Sequence, residues 1–159
     1  MPAKTKTVVG GSVAAVLLAA AGFIKPWESP GGKPDLIPYI DIVGVATVCY
    51  GETNVPMRKY TAAECDALLR KDVARRFEAL DRCITKTLTV NQYAAVLSLS
   101  YNAGISAVCG STLVRKINEG QPPSSWCLEL LRWNRAGGKV VKGLTNRRQA
   151  ELELCLRAN

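Results

Sequence analysis

The sequence contains no histidine. That excludes His-containing catalytic triads and most catalytic zinc sites, where imidazole is the base or the ligand. Acid–base chemistry must then fall to carboxylates, cysteine, lysine or tyrosine. C-x-x-C pairs are also missing, and without histidine the six cysteines complete no zinc set. Neither a metal nor a cofactor is expected. Acidic residues are scarce beside basic ones, 13 against 21, which leaves a net charge of +8. A basic chain is drawn to polyanions: nucleic acid, anionic lipid headgroups or an anionic cell wall. Charge alone does not choose among them.

What is present is an ordinary globular composition, 48% apolar and 21% charged over 159 residues. That suits one compact domain with a short appendage. The six cysteines are Cys49, Cys65, Cys83, Cys109, Cys127 and Cys155. An even number, spread behind an apolar leader, fits disulfides formed in an oxidising compartment. Six cysteines allow fifteen pairings. The pairing favoured is Cys49–Cys65, Cys83–Cys109 and Cys127–Cys155, which the sequence does not fix.

Val8 to Ile24 carries no charge, and Lys4 and Lys6 precede it. Flanking lysines favour a cytoplasmic N-terminus with the chain exported beyond it. As a helix the segment spans roughly 26 Å, slightly less than the ~30 Å hydrocarbon core. Gly, Ala and Ser fill nine of its positions, so it is held weakly. It reads either as a cleaved signal peptide, with Ala19-x-Ala21 at the cut, or as a retained anchor able to leave the bilayer. The retained anchor is the reading carried forward. It divides the chain into an anchor, 1–24, and a catalytic domain, 25–159.

Residues 25–35 hold three Pro and two Gly and predict a non-helical connector. Residues 37–50, rich in Ile, Val, Tyr and Thr around Gly44, predict short strands with a tight turn. Helices follow. Thr61-x-x-Glu64 and Thr89-x-x-Gln92 are capping boxes. Cys65, Leu69, Val73, Phe77 and Leu80 form one apolar stripe. Gly104 ends the second helix, and Ser111 and Gly120 bracket a third. A helix carrying Trp126, Leu130 and Trp133 is expected next, with both tryptophans in the core. Gly137-Gly138 breaks the chain before a last helix from about Thr145 to Leu156. The fold class is α+β, mostly helical, with a small β element beside a helical lobe and a groove between them.

Glycoside hydrolysis needs two carboxyl-type groups beside the bond, one to protonate the leaving oxygen and one to activate water or steady the sugar cation. Most acids here sit among helical charges. Glu28 and Asp41 lie instead in irregular or β-rich sequence, and Thr47 follows Asp41 by six residues. The stretch Asp41-Ile-Val-Gly-Val-Ala-Thr47-Val-Cys-Tyr-Gly51 resembles the active-site segment of the T4-type phage lysozymes, glycoside hydrolase family 24. The resemblance continues through Leu88-Thr-Val-Asn91-Gln92, Tyr101-Asn102-Ala-Gly104, Ser111-Thr112-Leu113 and Trp133 to Gly143-Leu144-Thr-Asn-Arg147-Arg148-Gln-Ala-Glu151. It covers about residues 26–157, and the apolar leader resembles that of the signal-arrest-release endolysins.

The resemblance implies a two-lobed lysozyme-like fold. It implies cleavage of peptidoglycan between N-acetylmuramic acid and N-acetylglucosamine, with inversion, by a monomer that binds no nucleic acid. Glu28 would be the general acid, partly buried beside an apolar group; Asp41 would hold the water or steady the charge, and Thr47 would place the water. The family's spacing is Glu, eight residues, Asp. Here twelve residues separate Glu28 from Asp41, and Gly32 stands where a Glu is expected. A turn at Pro30-Gly31-Gly32 would take up the excess, and Asp35 is the reserve acid. Glu52, Tyr101 and Thr112 are weaker candidates for substrate contact. Arg147-Arg148 reads as a solvated helix face or a salt bridge.

Glu28 lies four residues beyond Ile24, roughly 14 Å of chain at most. An inserted helix would therefore hold Glu28 near the headgroups of the host inner membrane, away from Asp41 and Thr47. Residues 8–24 contain no cysteine, which argues against a thiol trigger. The rival reading is a membrane-tethered, non-catalytic wall-binding protein, favoured by the four extra residues. A third is a basic protein that permeabilises membranes, which leaves the Asp41–Thr47 spacing unexplained.

Overall fold

The computed structural model describes residues 8–158. Lys4 and Lys6, which set the expected orientation of the leader, lie outside the described residues.

The apolar leader becomes a wall of the core. Helix α1 spans Val13–Glu28, started by the Ser12 hydroxyl, which accepts from the Ala15 N–H at 3.1 Å. Val16, Ala20, Ala21 and Ile24 fall on one face and are buried. Their partner is α3, Val90–Ala103, whose residues Tyr93 to Ser100 are all buried. A helix covered all round belongs at the centre of a helical lobe. Ahead of α1, the Val9 N–H bonds to the Leu88 carbonyl at 3.1 Å. A Cβ on Gly11 would meet Val90 Cγ2 at 2.5 Å, so only glycine lets the chain pass α3 there.

The expected non-helical connector from residue 25 is corrected. The helix runs through Pro26 to Glu28, across the residue 24/25 boundary. Pro26 sits in the last turn, where its missing N–H forfeits a single helical bond. The Ser29 N–H still closes on the Lys25 carbonyl at 3.1 Å. The turn proper is Pro30–Gly32, where Gly31 and Gly32 take φ of +67° and +69°.

Strands β1, Asp35–Ile40, and β2, Ala46–Cys49, form an antiparallel hairpin turned at Gly44. Asp35 pairs with Cys49 and Tyr39 with Thr47, so β1 carries two more residues than β2 over that interval. Such a bulge, with the Pro30–Gly32 turn, takes up the extra length between Glu28 and Asp41. The long α2, Ala62–Cys83, has its capping box and buries the stripe Cys65, Leu69, Val73, Phe77 and Leu80.

Short helices α4, Ile105–Cys109, and α5, Thr112–Asn118, follow. The expected helix through Trp126 and Trp133 is instead α6, Pro123–Trp126, running into a 3-10 helix, Cys127–Arg132. Trp126 is buried, while Trp133 is only partly covered. Gly137-Gly138 turns a two-residue hairpin between β3, Arg135–Ala136, and β4, Lys139–Val140. Helix α7, Lys142–Leu156, starts earlier than expected. Three disulfides join Cys49 to Cys65, Cys83 to Cys109 and Cys127 to Cys155, the favoured pairing. They tie β2 to α2, α2 to α4, and the 3-10 helix to α7.

Candidate active site

Glu28 ends α1, and the packing of that helix on α3 brings it to α7. Its Oε1 accepts from Arg147 Nη1 at 2.6 Å. The group beside Glu28 is thus a guanidinium, not the expected apolar wall; Trp27 packs on Phe23, with ring centroids 6.4 Å apart. Arg147 is buried and also donates to the Ser98 carbonyl and hydroxyl at 3.3 Å. Behind it lies Glu151, fully buried, which accepts from Ser98 Oγ at 2.6 Å and faces Arg148 Nε at 3.0 Å. Burial pushes the Glu151 carboxyl up, while Arg148, Ser98 and Arg147 pull it down. Two arginines and two glutamates thus balance in charge. The solvated reading of Arg147-Arg148 is corrected: both are buried and ion-paired.

Asp41 begins the hairpin turn. Its Oδ1 accepts from the N–H groups of Val43 at 3.0 Å and Val45 at 2.8 Å. Gly44, at φ +83°, closes the turn onto the Asp41 carbonyl. One carboxylate oxygen is therefore fixed by the backbone, and the other has no protein partner among the described residues. Thr47 is buried in β2 and its hydroxyl donates to the Val45 carbonyl at 3.0 Å. With its proton committed, that oxygen is left with lone pairs that can accept a hydrogen bond from water.

Tyr39 stands across the ladder from Thr47. Its phenol is pushed up by burial first, then by the charges of Asp35, Asp41 and Glu28. Both candidate carboxylates therefore lie within electrostatic reach of one side chain. Sequence reading missed Tyr39, although it precedes Asp41 by two residues, the period that puts two strand positions on one face.

Glu28, Gly51, Glu52, Tyr101 and Asn102 share a hollow of about 300 Å³. Glu28 Oε2 lies 3.8 Å from where a Gly51 Cβ would stand. Glu52 Oε1 is buried without a hydrogen-bond partner among the described residues. Burial, then the charge of Asp72, pushes the Glu52 carboxyl up to about 7, with Arg76 opposing. The Tyr101 hydroxyl donates to the Tyr50 carbonyl at 2.8 Å, and its ring lies 4.9 Å from the Arg76 guanidinium. Burial pushes its phenol far up.

Thr112 lies apart, in another hollow with Trp133. A third hollow shares Asn102 with the first and Trp133 with the second. Glu52 and Tyr101 thus share one hollow, and Thr112 lines a different one. Asp41 and Thr47 line none of these hollows; the charges of Asp41 and Glu28 both act on the Tyr39 phenol.

A phage lysozyme family model matches residues 32–151. Over 164 aligned residues the chain is 39% identical to the SAR-endolysin of Enterobacteria phage P21, with 98% of each covered. The solved endolysin of the Escherichia coli phage FAHEc1 superposes with a TM-score of 0.77 at 29% identity, covering 87% of this chain and 90% of that one. P1 phage endolysin Lyz shares the fold at 22% identity: the TM-score is 0.74 to its active form, covering 87% and 83% of the two chains. To its secreted inactive form the score is 0.52 at 18% identity, covering 89% and 93%. By its sequence and its fold, the chain belongs to the phage lysozyme family.

Proposed function

We infer that this chain is an endolysin, a glycoside hydrolase that cleaves peptidoglycan between N-acetylmuramic acid and N-acetylglucosamine and so lyses the host cell. The observation that carries the reading is the place of Glu28. Its carboxyl is held by Arg147 and lines a polar hollow with Glu52, Tyr101 and Asn102. The family match begins at residue 32, so the role of Glu28 rests on this geometry.

Glu28, when it carries the proton, gives it to the leaving glycosidic oxygen. Arg147 holds the group in position and steadies the carboxylate that remains. Asp41, with one oxygen fixed by backbone N–H groups, uses the other to take a proton from water. Thr47 accepts that water's second hydrogen. Attack from the face opposite the leaving group inverts the anomeric carbon. The extra length before Asp41, the feature that favoured a non-catalytic wall-binding protein, is absorbed by a turn and a bulge. That leaves the rival without a supporting observation.

Residues 8–24 serve two states. In the bilayer they anchor the chain at the inner membrane, with the catalytic domain in the periplasm. Released, they pack Val16, Ala20 and Ile24 against α3 and carry Glu28 to Arg147. The two states exclude each other, because the same side chains cannot face lipid and core together. No helix among the described residues is long and apolar enough to cross a membrane; the fold described is the one in which α1 lies in the core. The released enzyme acts as a monomer.

Digestion of purified peptidoglycan by the released protein tests the reading. New reducing ends at N-acetylmuramic acid, born in the inverted configuration by proton NMR, are expected. Reducing ends at N-acetylglucosamine, or none, would refute it.

A further inference from the structure

Glu52 is an acid in the Glu28 hollow that the proposed mechanism does not use. A tight turn holds it. Its N–H bonds to the Val48 carbonyl at 2.8 Å, and the Val48 N–H bonds back to the Glu52 carbonyl at 3.0 Å. Between them Cys49 takes φ of +60°, a region that residues with a side chain rarely enter, and Cys65 ties it to α2. What this turn presents is a carboxyl without a partner. Oε1 is sealed from water, and no group among the described residues donates to it. Two guanidiniums act on Glu52 from α2, those of Arg75 and Arg76, but Asp72 holds them at 2.6 and 2.8 Å. From α3 the Tyr101 phenol lies beside Glu52, with its proton given to the Tyr50 carbonyl. Glu28, at the end of α1, and Asp72 are further acids of the same hollow. An ionised carboxylate left in such a place is costly, and protonation removes the cost. The titration agrees in direction, since burial and Asp72 push the carboxyl up to about 7. Neutral, Glu52 has a hydroxyl to give. The residue is only partly covered, and it lines both the Glu28 hollow and a second one of about 700 Å³ with Lys71 and Glu78 of α2.

We propose that Glu52 is a substrate-positioning residue that stays neutral and donates its Oε2 hydroxyl to an acetamido carbonyl of the glycan bound beside Glu28. The inference rests on the muramidase reading, whose substrate carries an acetamido group on every sugar. A carbonyl oxygen only accepts, so it bonds to the protonated acid and not to the carboxylate. A sugar hydroxyl, by contrast, can bond to either form. Loss of the Glu52 proton therefore removes the bond and sets lone pairs against lone pairs.

The test is calorimetric titration of the released, disulfide-bonded Glu28→Gln chain, in which binding is separated from cleavage. The probe is an alternating tetrasaccharide of N-acetylglucosamine and N-acetylmuramic acid with its lactyl carboxyls amidated, so that no group on the ligand titrates. Affinity is expected to fall about tenfold from pH 6 to pH 8. Binding at pH 8 should take up close to one proton, read from the dependence of the heat on the buffer. Adding Glu52→Gln, whose amide still donates, should abolish both the fall and the proton uptake. Adding Glu52→Met, which removes the donor, should weaken binding about tenfold at pH 6, with the fold retained by circular dichroism. An affinity that does not change with pH overturns the proposal, as does the same fall in the Glu52→Gln chain. Binding by Glu52→Met as tight as by Glu52→Gln, or no binding by any of these chains, overturns it equally. Lysis of isolated peptidoglycan by the unsubstituted chain reports on the muramidase reading by itself: lysis kept while the pH effect is absent defeats the proposal alone.

Discussion

Arg147 and Glu28, 119 residues apart in sequence, meet at 2.6 Å and join the end of α1 to α7. Arg147 is almost fully buried, and the Glu28 side chain keeps 19% of its exposure. Removing one member of such a pair strands the other charge, at a cost of about 3 kcal/mol. Arg147→Met should therefore lower stability by that order in urea denaturation. Lysis should fall on the order of a hundredfold, because Glu28 loses its fixed position. Arg147→Lys should recover part of the stability and little of the lysis, since an ammonium cannot reach Glu28, Ser98 and Glu151 together. Equal recovery of both would show that Arg147 serves the fold alone.

Gly11 is the point where the leader passes α3. Gly11→Val brings a side chain onto Val90, and overpacking of this kind costs about 1–3 kcal/mol. The variant should melt several degrees lower, and hydrogen exchange should speed up first in residues 13–28. An unchanged melt would mean that residues 8–11 do not stitch α1 to the domain.

Glu52 offers a test by pH. Its carboxyl is pushed up to about 7 in the folded chain by burial and by Asp72. The folded chain thus holds a proton that the unfolded chain has released. Stability conferred by the protonated form is full below the ordinary carboxylate range and is lost as pH rises toward 7. Glu52→Gln keeps the neutral shape, so it should melt a few degrees above wild type at pH 8 and level with it at pH 4. A difference of the same size at both pH values would remove Glu52 from the account.

The disulfide between Cys127 and Cys155 holds the 3-10 helix to α7, which carries Arg147. Opening it by Cys127→Ser with Cys155→Ser should cost about 2–4 kcal/mol. Lysis should fall more steeply on warming than it does for wild type. Equal thermal profiles would contradict a role for this bridge in holding α7.

The fold was legible wherever a local rule decided it. The two capping boxes, the α2 stripe, the turn at Gly44 and the stops at Gly104 and Gly120 are all signals of one helix or one turn. The misreadings came where tertiary contact overrode a local rule. Pro26 looked like a breaker, yet it falls in the last turn, where a proline costs little. Arg147-Arg148 left a solvated face and a salt bridge both open, and only the fold shows that the salt bridge holds, with Glu28 and Glu151 as partners. Trp133 was read as core because a regular helix was assumed, and the 3-10 winding after Trp126 turns it partly outward. Of the proposed site, Asp41 and Thr47 were named from the family's interval, and Glu28 against it, as the one Glu before Asp41. Tyr39 had a signal in its two-residue step to Asp41 that went unread; Arg147 had none, because Glu28 lies 119 residues away.

The central claim is that Glu28 is the proton donor. Lysis of isolated peptidoglycan by the released, disulfide-bonded protein should be compared for wild type, Glu28→Gln and Asp35→Asn, with circular dichroism to show that each is folded. The account predicts that Glu28→Gln abolishes lysis and that Asp35→Asn retains it. Lysis by Glu28→Gln at wild-type rate, or its loss in Asp35→Asn alone, would contradict the account and pass the acid's role to Asp35.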